Sequence, residues 1–265
     1  MGKLKGKVAL VLGASKPGNM GQVITRYLLN EGARVVVSGR NQDALEVFSS
    51  ESDSIHAVPC DITVKADIEK LVQECIEYFG GLDIAVNASG WAQAKPFCDV
   101  TGEDLDSMIS VQFKGPFQFL QVVVAAMRRM GGGSIINISS VTASIMTEDY
   151  ASYMGTKAGI DHVVRSVANE FGQHGIRANS VSPALTETPM TEGVFKNPAL
   201  VEFFTDCFPL GRLGTSEDIA AAVVWLAQDN CFMTGQNLQV NGGVTLRALP
   251  TSKQRKAALE KTSSF

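Results

Sequence analysis

Short runs of β-branched and other apolar residues alternate along this chain with longer stretches of helical periodicity, and this alternation constrains the fold more than any other feature. Runs that are apolar at nearly every position are typical of strands in a parallel sheet covered on both faces. The pattern therefore predicts an α/β fold, with right-handed crossovers and a doubly wound parallel seven-stranded sheet flanked by helices. The predicted strands are 8–12, 34–38, 55–59, 82–86, 134–138, 176–181 and 238–240, and the predicted helices cover about 20–31, 41–49, 68–79, 104–130, 152–173 and 216–228.

No linker, repeat or low-complexity segment interrupts this pattern before residue 245. Since 265 residues suit one large α/β domain, we predict a single domain over 1–245. Residues 246–265 follow as a C-terminal tail with five basic residues and one acid. This tail is interpreted either as solvated or as an arm packed on a neighbouring subunit.

The charge balance excludes some classes of partner. With 23 basic and 27 acidic residues, the net charge of −4 argues against a nucleic-acid-binding surface. The longest apolar run, 122–127, is too short for a membrane span, and the N-terminal residues lack the apolar region of a signal peptide. Five scattered cysteines indicate neither a disulfide framework nor a metal site. We expect a cytoplasmic protein with no nucleic-acid or membrane partner.

A glycine-rich segment, 13–21, lies between the first predicted strand and the first predicted helix. Glycine lets the backbone turn tightly and approach a pyrophosphate, whose charge is met by amide donors at the helix N-terminus. Placed at this point, the segment predicts a dinucleotide site in a Rossmann fold. The residues assigned to the cofactor here are Gly13, Ser15, Lys16, Asn19 and Met20.

The end of the second strand indicates which dinucleotide is bound. An acidic residue there would bind the ribose 2′-hydroxyl of NAD, but this chain has Ser38, Gly39 and Arg40. The guanidinium of Arg40 can bind a phosphate, and Lys16 can add a second positive charge. NADP(H) is therefore predicted in preference to NAD(H).

Several motifs together resemble the classical short-chain dehydrogenase/reductase family over about residues 5–245. They are the loop at Gly13, Asp61 after strand three, the segment 87–90 after strand four, Ser140, a Tyr-x-x-x-Lys motif at 153–157, and the segment 183–188. The resemblance implies that Asp61 and Ile62 lie at the adenine. It implies that Asn87, Ala88, Ser89 and Gly90 support the adenosine side, and that Pro183, Thr186 and Thr188 meet the nicotinamide end.

The resemblance also implies that Ser140, Tyr153 and Lys157 carry the chemistry. Reduction of a ketone needs a hydride from the cofactor and a proton for the developing alkoxide. A tyrosine titrates near pH 10, so bringing it to neutrality takes about 3 pKa units, or ~4 kcal/mol. Lys157, one helical turn beyond Tyr153, is expected to supply the positive charge that lowers this pKa. Ser140 is expected to orient the substrate oxygen.

Gln112 departs from the family pattern, which usually has asparagine at this position, associated with a water that connects the lysine to solvent. Glutamine carries the same amide on a longer side chain. Two interpretations stay open: Gln112 takes part in the proton relay with shifted geometry, or it only packs.

The glycine loop is longer than usual and is similar to that of enoyl-acyl-carrier-protein reductases, a divergent branch that uses a Tyr-x6-Lys pair. Tyr150 and Lys157 have that spacing. The favoured hypothesis is a carbonyl reductase or alcohol dehydrogenase using Tyr153. The alternatives are an enoyl reductase using Tyr150 and a nucleotide-binding protein without catalytic activity.

The substrate side is predicted from residues that follow strand ends. They are apolar or aromatic with few polar groups, which favours a small hydrophobic, cyclic ketone or secondary alcohol. Residues 191–208 are predicted to form a mobile lid. The residues assigned to the substrate are Trp91, Thr142, Tyr150, Leu185 and Met190.

The helices predicted over 116–130 and 152–173 carry more apolar surface than one sheet face needs. They are interpreted either as deeply buried or as a self-complementary face between subunits, of which we favour the second. The expected assembly is a homotetramer or a homodimer.

Overall fold

A computed structural model of the chain describes residues 2–247. Seven parallel strands form one sheet in the order β3-β2-β1-β4-β5-β6-β7. The predicted α/β, doubly wound Rossmann fold is thereby confirmed. Of the predicted tail, residues 248–265 lie outside the described residues. The strands are β1 (Val8–Leu12), β2 (Arg34–Gly39), β3 (Ile55–Pro59), β4 (Ile84–Asn87), β5 (Gly133–Ile138), β6 (Ile176–Pro183) and β7 (Asn237–Val240).

Helices cover both faces of this sheet. Side chains alternate along each strand, so in β1 Leu10 and Leu12 pack on one face and Ala9 and Val11 on the other. The first face is covered by α3, α5 and α6, and the second by α1, α2 and α9. The helices are α1 (Met20–Asn30), α2 (Gln42–Ser49), α3 (Lys65–Phe79), α4 (Gly102–Ile109), α5 (Gly115–Met130), α6 (Ala151–Phe171), α7 (Glu192–Phe195), α8 (Pro198–Thr205) and α9 (Ser216–Ala227).

The helix predicted over 104–130 is interrupted. A π-helical turn at Ser110–Lys114 separates α4 from α5. Pro116 in the first turn of α5 has no amide hydrogen to continue the preceding helix. A Cβ at Gly115 would lie 2.6 Å from the carbonyl oxygen of Ile62, so this close approach requires glycine. The break directs Gln112 into the interior, where it is 1% exposed.

The strand order reverses between β1 and β4, which places the loops that follow these strands side by side. Gly13 leaves β1 with φ of 102°, in the left-handed region. A Cβ at this position would lie 2.5 Å from the carbonyl carbon of Ala88 after β4. Only glycine satisfies both conditions, and the two loops together form the floor of a cavity.

Candidate active site

One large cavity of about 710 Å³ lies at the carboxyl ends of the strands, the position where ligands bind in open α/β sheets. Its wall is formed by the loops after β1, β2, β3, β4, β5 and β6, together with α4, α6 and the π-helical turn. Most of the predicted site residues lie on this wall: Gly13, Ser15, Lys16, Asn19, Met20, Arg40, Asp61, Ile62, Ala88, Ser89, Gly90, Trp91, Gln112, Ser140, Tyr153, Lys157, Pro183, Thr186, Thr188 and Met190.

The glycine loop is held against the start of α1 by Asn19. Its side-chain oxygen accepts a hydrogen bond from the amide of Gln22 at 3.0 Å, and its Nδ2 donates to the carbonyl of Gly13 at 2.8 Å. Asn19 is therefore both the N-cap of α1 and a brace across the loop. A Cβ at Gly21 would lie 2.4 Å from the carbonyl oxygen of Gly13, so α1 packs directly beneath the loop. This arrangement suits a pyrophosphate at the helix N-terminus.

At the end of β2, Ser15 occupies the space that a side chain at position 39 would need. A Cβ at Gly39 would lie 2.4 Å from Oγ and 2.6 Å from Cβ of Ser15. Arg40, which follows, is exposed and lies on the cavity wall. Within residues 2–247, Asp61 carries the one carboxylate on this wall. Desolvation opposes its ionised form, but hydrogen bonds from Thr63 and the charge of Arg40 hold the pKa of Asp61 below its usual range.

Ser140 and Tyr153 face the same part of the cavity. Ser140 precedes a short 3₁₀ turn, and its Oγ lies 2.9 Å from Oγ1 of Thr142 and accepts from the Thr142 amide at 3.2 Å. Burial raises the pKa of the Tyr153 phenol, a hydrogen bond with Ser140 lowers it, and the nearby Tyr150 raises it. A serine hydroxyl and a tyrosine phenol thus meet at the end of β5.

Lys157 is buried behind Tyr153 and is 5% exposed. Its Nζ donates to the carbonyl of Ile138 at 2.9 Å and lies 5.7 Å from the centre of the Tyr153 ring. Burial lowers the pKa of Lys157 to about 8, while the charge of Asp161 raises it. The expected lowering of the Tyr153 pKa by Lys157 is not found: burial is the largest influence and raises the pKa of the phenol, and the Lys157 ammonium donates to the Ile138 carbonyl.

The side chain of Gln112 lies between two parts of the site. Its Nε2 donates a hydrogen bond to the carbonyl of Trp91 in the loop after β4. Its amide atoms and Nζ of Lys157 all lie within 4 Å of the point where a Cβ of Gly90 would be. Gln112 therefore braces the loop after β4 beside Lys157, and its part in a proton relay stays a prediction.

Four of the predicted residues are not part of the cavity wall: Asn87, Thr142, Tyr150 and Leu185. Asn87 joins two strands, because its Nδ2 donates to Oδ1 of Asn137 at 2.9 Å, and its own Oδ1 accepts from the Ser89 hydroxyl at 2.6 Å. Tyr150 lies at the N-terminus of α6 with its ring centre 6.3 Å from that of Tyr153.

Thr191, predicted only as the first residue of the lid, lies on the cavity wall with Thr186 and Thr188 of the predicted nicotinamide end. Its hydroxyl donates to the carbonyl of Thr186 at 2.6 Å and accepts from the amide of Thr188 at 3.1 Å. Thr191 directly precedes the short helix α7 but forms no capping hydrogen bond with it, so helix capping gave no signal for this position. Residues 191–208, predicted as a mobile lid, contain α7 and α8, with Phe203 66% exposed. Their mobility stays a prediction.

Comparison with known proteins agrees with this geometry. A family model described as enoyl-(acyl carrier protein) reductase matches residues 13–245. A 3-oxoacyl-(acyl-carrier-protein) reductase from Thermotoga maritima is 30% identical over 249 residues, which cover 92% of this chain and 100% of that protein. A glucose 1-dehydrogenase from Gluconobacter oxydans is 33% identical over 251 residues, which cover 92% of this chain and 94% of that protein.

Two solved structures of dehydrogenases also resemble this chain over nearly its whole length. A gluconate 5-dehydrogenase from Burkholderia cenocepacia, crystallised with NADP and tartrate, is 27% identical with a TM-score of 0.86, covering 92% of this chain and 97% of that one. A short-chain type dehydrogenase/reductase from Mycobacterium ulcerans is 29% identical with a TM-score of 0.88, covering 97% of this chain and 95% of that one. The chain belongs to the classical short-chain dehydrogenase/reductase family of oxidoreductases, which use a nicotinamide cofactor.

Proposed function

We propose that this protein is an NADP(H)-dependent carbonyl reductase or alcohol dehydrogenase in which Tyr153 is the acid and base. The observation that carries this proposal is that Ser140, Tyr153 and Lys157 share one cavity with the glycine loop after β1. A dinucleotide lying along that cavity would extend from Arg40 to Tyr153. A cavity of about 710 Å³ is within the range of small-molecule and cofactor sites.

The donor set of the cavity wall fits NADP(H). The closely packed glycines and the N-terminus of α1 suit the pyrophosphate, and Lys16 and Arg40 supply positive charge where a 2′-phosphate would lie. The contact between Gly39 and Ser15 leaves no room for the acidic side chain that binds the ribose 2′-hydroxyl of NAD. When bound, the nicotinamide supplies or accepts the hydride.

The protein's own residues then handle the proton and the orientation of the substrate. Ser140 donates a hydrogen bond to the substrate oxygen, and the Tyr153 phenol gives a proton to the developing alkoxide. In the oxidative direction the same phenolate removes the proton. Lys157 stabilises the phenolate by its positive charge, and Gln112 holds the loop that closes this side of the cavity.

The substrate class that we propose is a small hydrophobic ketone or secondary alcohol. Its support is that two large apolar side chains, Trp91 and Met190, lie on the same cavity wall as Ser140 and Tyr153. A second candidate class is a polyol, since relatives include a glucose 1-dehydrogenase and a D-threitol dehydrogenase. Enoyl reduction with Tyr150 remains the alternative reaction, which the description of the matching family model favours.

Two further proposals concern the assembly of the protein and its location in the cell. A homodimer or homotetramer is supported by a groove of about 510 Å³ between α5 and α6, lined by Phe117, Leu120, Val124, Val163 and Phe171 among others. A cytoplasmic setting is supported by the five cysteines, all within the described residues and all free. Separately, no helix within residues 2–247 has the length and apolar character needed to cross a membrane.

The test of the proposed function is NADPH consumption against hydrophobic ketones, polyols with NADP⁺, and 2-enones. We expect Tyr153→Phe to reduce ketone turnover by about 10²- to 10⁴-fold, the usual contribution of general acid catalysis. Tyr150→Phe is the matched control and is expected to retain activity. Turnover of 2-enones that depends on Tyr150 would establish the enoyl reductase instead, and cofactor binding without any turnover would establish a non-catalytic protein.

A further inference from the structure

A buried carboxylate lies on α6 outside the cavity wall. Asp161 is 8% exposed, and its two oxygens receive three hydrogen bonds. Oδ2 accepts from the Ser139 hydroxyl at 2.7 Å and from Nδ2 of Asn237 at 2.6 Å, and Oδ1 accepts from the Ser180 hydroxyl at 2.6 Å. These donors belong to three neighbouring strands: Ser139 directly follows β5, Ser180 lies within β6, and Asn237 begins β7. Asp161 thus ties α6 to three strands at once.

The same helix presents Tyr153, Lys157 and Asp161 at successive turns, spaced four residues apart. Nζ of Lys157 binds the carbonyl of Ile138, and the Asp161 carboxylate binds the side chain of the next residue, Ser139. Ser140 follows directly. The backbone segment that leads to Ser140 is therefore held by α6 at two consecutive residues.

A neutral side chain in place of Asp161 could accept these hydrogen bonds without the free-energy cost of burying a charge. Burial raises the pKa of Asp161, while the hydrogen bonds from Ser180, Ser139 and Asn237 and the nearby Lys157 lower it. Within residues 2–247, Asp161 forms no ion pair at salt-bridge distance. The positive charge that influences its pKa is that of Lys157, one helical turn earlier. In return, the negative charge of Asp161 opposes the loss of the Lys157 proton that burial promotes.

We infer that Asp161 is a positioning residue for the proposed reaction: it holds the segment that carries Ser140 and keeps Lys157 in its charged form. The inference rests on the proposed function, in which the Lys157 charge stabilises the Tyr153 phenolate. Among the described residues, the titratable groups that face Lys157 are Tyr153 and Asp161, both on α6. The other elements packed around this pair contribute a carbonyl, side-chain hydroxyls and amides, which do not titrate between pH 6 and 9.

The variant Asp161→Asn separates charge from packing. Its amide oxygen can take the place of Oδ2, and its amide nitrogen can donate to the Ser180 hydroxyl in place of Oδ1. We expect the alkaline limb of the kcat/KM profile for ketone reduction to move to lower pH by about 1 unit, because Lys157 loses its proton earlier. Asn237→Ala removes one hydrogen bond to Asp161, the one with the smallest influence on its pKa, and is the matched control, expected to keep the wild-type profile.

A second measurement does not depend on turnover. The free energy of unfolding of the wild type and of Asp161→Asn is measured in urea between pH 6.5 and 9. A lysine whose pKa is lowered in the folded state makes stability rise with pH above that pKa, because the unfolded state then binds more protons. In the wild type this rise begins near pH 8, the folded pKa of Lys157. In Asp161→Asn it is expected to begin lower, and in a Lys157→Met background the difference is expected to vanish.

The two measurements distinguish failure of the inference from failure of the proposed function. If no substrate is turned over, the proposed function fails, and the unfolding curves still decide whether Asp161 keeps Lys157 charged. If ketones are reduced but Asp161→Asn shifts neither the pH profile nor the unfolding curve, the inference is overturned. It is also overturned if Asn237→Ala shifts the profile as far as Asp161→Asn does.

Discussion

Arg40 is the residue whose chemistry separates the two nicotinamide dinucleotides in this site. It lies exposed on the cavity wall, directly after the strand at which Gly39 meets Ser15. A guanidinium can bind a phosphate through two parallel hydrogen bonds, whereas a ribose hydroxyl gains little from its charge. The identity of one residue at the end of β2 thus carries the proposed preference for NADP(H).

Arg40→Ala is expected to weaken NADPH binding by about 10- to 100-fold, since hydrogen bonds to charged groups contribute about 1.5–3 kcal/mol each. NADH binding should change by less than about threefold, because NADH has no 2′-phosphate for the guanidinium to bind. Both dissociation constants can be measured by the fluorescence of the reduced nicotinamide. The matched control is Arg26→Ala, a half-buried arginine on α1 that pairs with Glu51 and is not part of the cavity wall. An equal loss of affinity for both cofactors would show that Arg40 does not select between them.

Among the elements, α9 has an N-terminus whose stability depends on pH. Thr215 and Asp218 form a reciprocal capping box there, and Arg212 binds both oxygens of Asp218 at 2.7 Å. The hydrogen bond from Arg212 is the largest influence on Asp218, whose pKa is lowered to about 2. A carboxyl whose folded pKa is lowered stabilises the protein above its unfolded pKa of ~3.9, and this stabilisation is lost as the pH falls toward the folded value.

We expect Asp218→Asn to lower the melting temperature at pH 5 and above, and to have a progressively smaller effect between pH 4 and pH 2. Melting curves of both proteins over this range check the expectation. Glu217→Gln is the control, because it removes the same charge from the same helical turn and Glu217 forms no ion pair within the described residues. A difference between wild type and Asp218→Asn that stays constant down to pH 2 would contradict the assignment.

The sequence predicted the strands well because each is a short local run of residues that are apolar at nearly every position. It failed at the helix predicted over 104–130, where apolar residues continue across the π-helical turn at Ser110–Lys114. Periodicity is averaged over several turns and does not register one inserted residue. The break between α4 and α5 lies next to the close approach of Gly115 to Ile62. This contact joins residues that are distant in the sequence, so a local pattern does not predict it.

Within residues 2–247, an apolar groove lies between α5 and α6. Phe117 at its edge is 39% exposed, and the groove residues come from both helices. The apolar surface predicted from the sequence is therefore split, with one side packed in the core and the other lining the groove. A second copy of the chain that placed the same two helices here would cover both grooves at once.

Phe117→Asp is expected to reduce the assembly to a smaller species, because a carboxylate buried between subunits is costly to desolvate. Light scattering during size-exclusion chromatography gives the mass of the assembly. Val47→Asp on α2, 72% exposed on the opposite side of the sheet, is the control and is expected to leave the mass unchanged. A wild-type protein that elutes as a monomer would contradict the proposed assembly.

The fold and the candidate catalytic and cofactor-binding residues could be predicted from the sequence, because both depend on the spacing of residues that are close together in the chain. Apolar runs specify strands, a glycine loop specifies the turn after β1, and a spacing of four places Tyr153 and Lys157 on one side of a helix. The folded structure was needed to show that Tyr153 lines the cavity together with Ser140 and Lys157. It alone assembled the Asp161 cluster from one helix and three strands. Contacts of that kind depend on strand order and register, which residues distant in the chain establish together when the sheet forms.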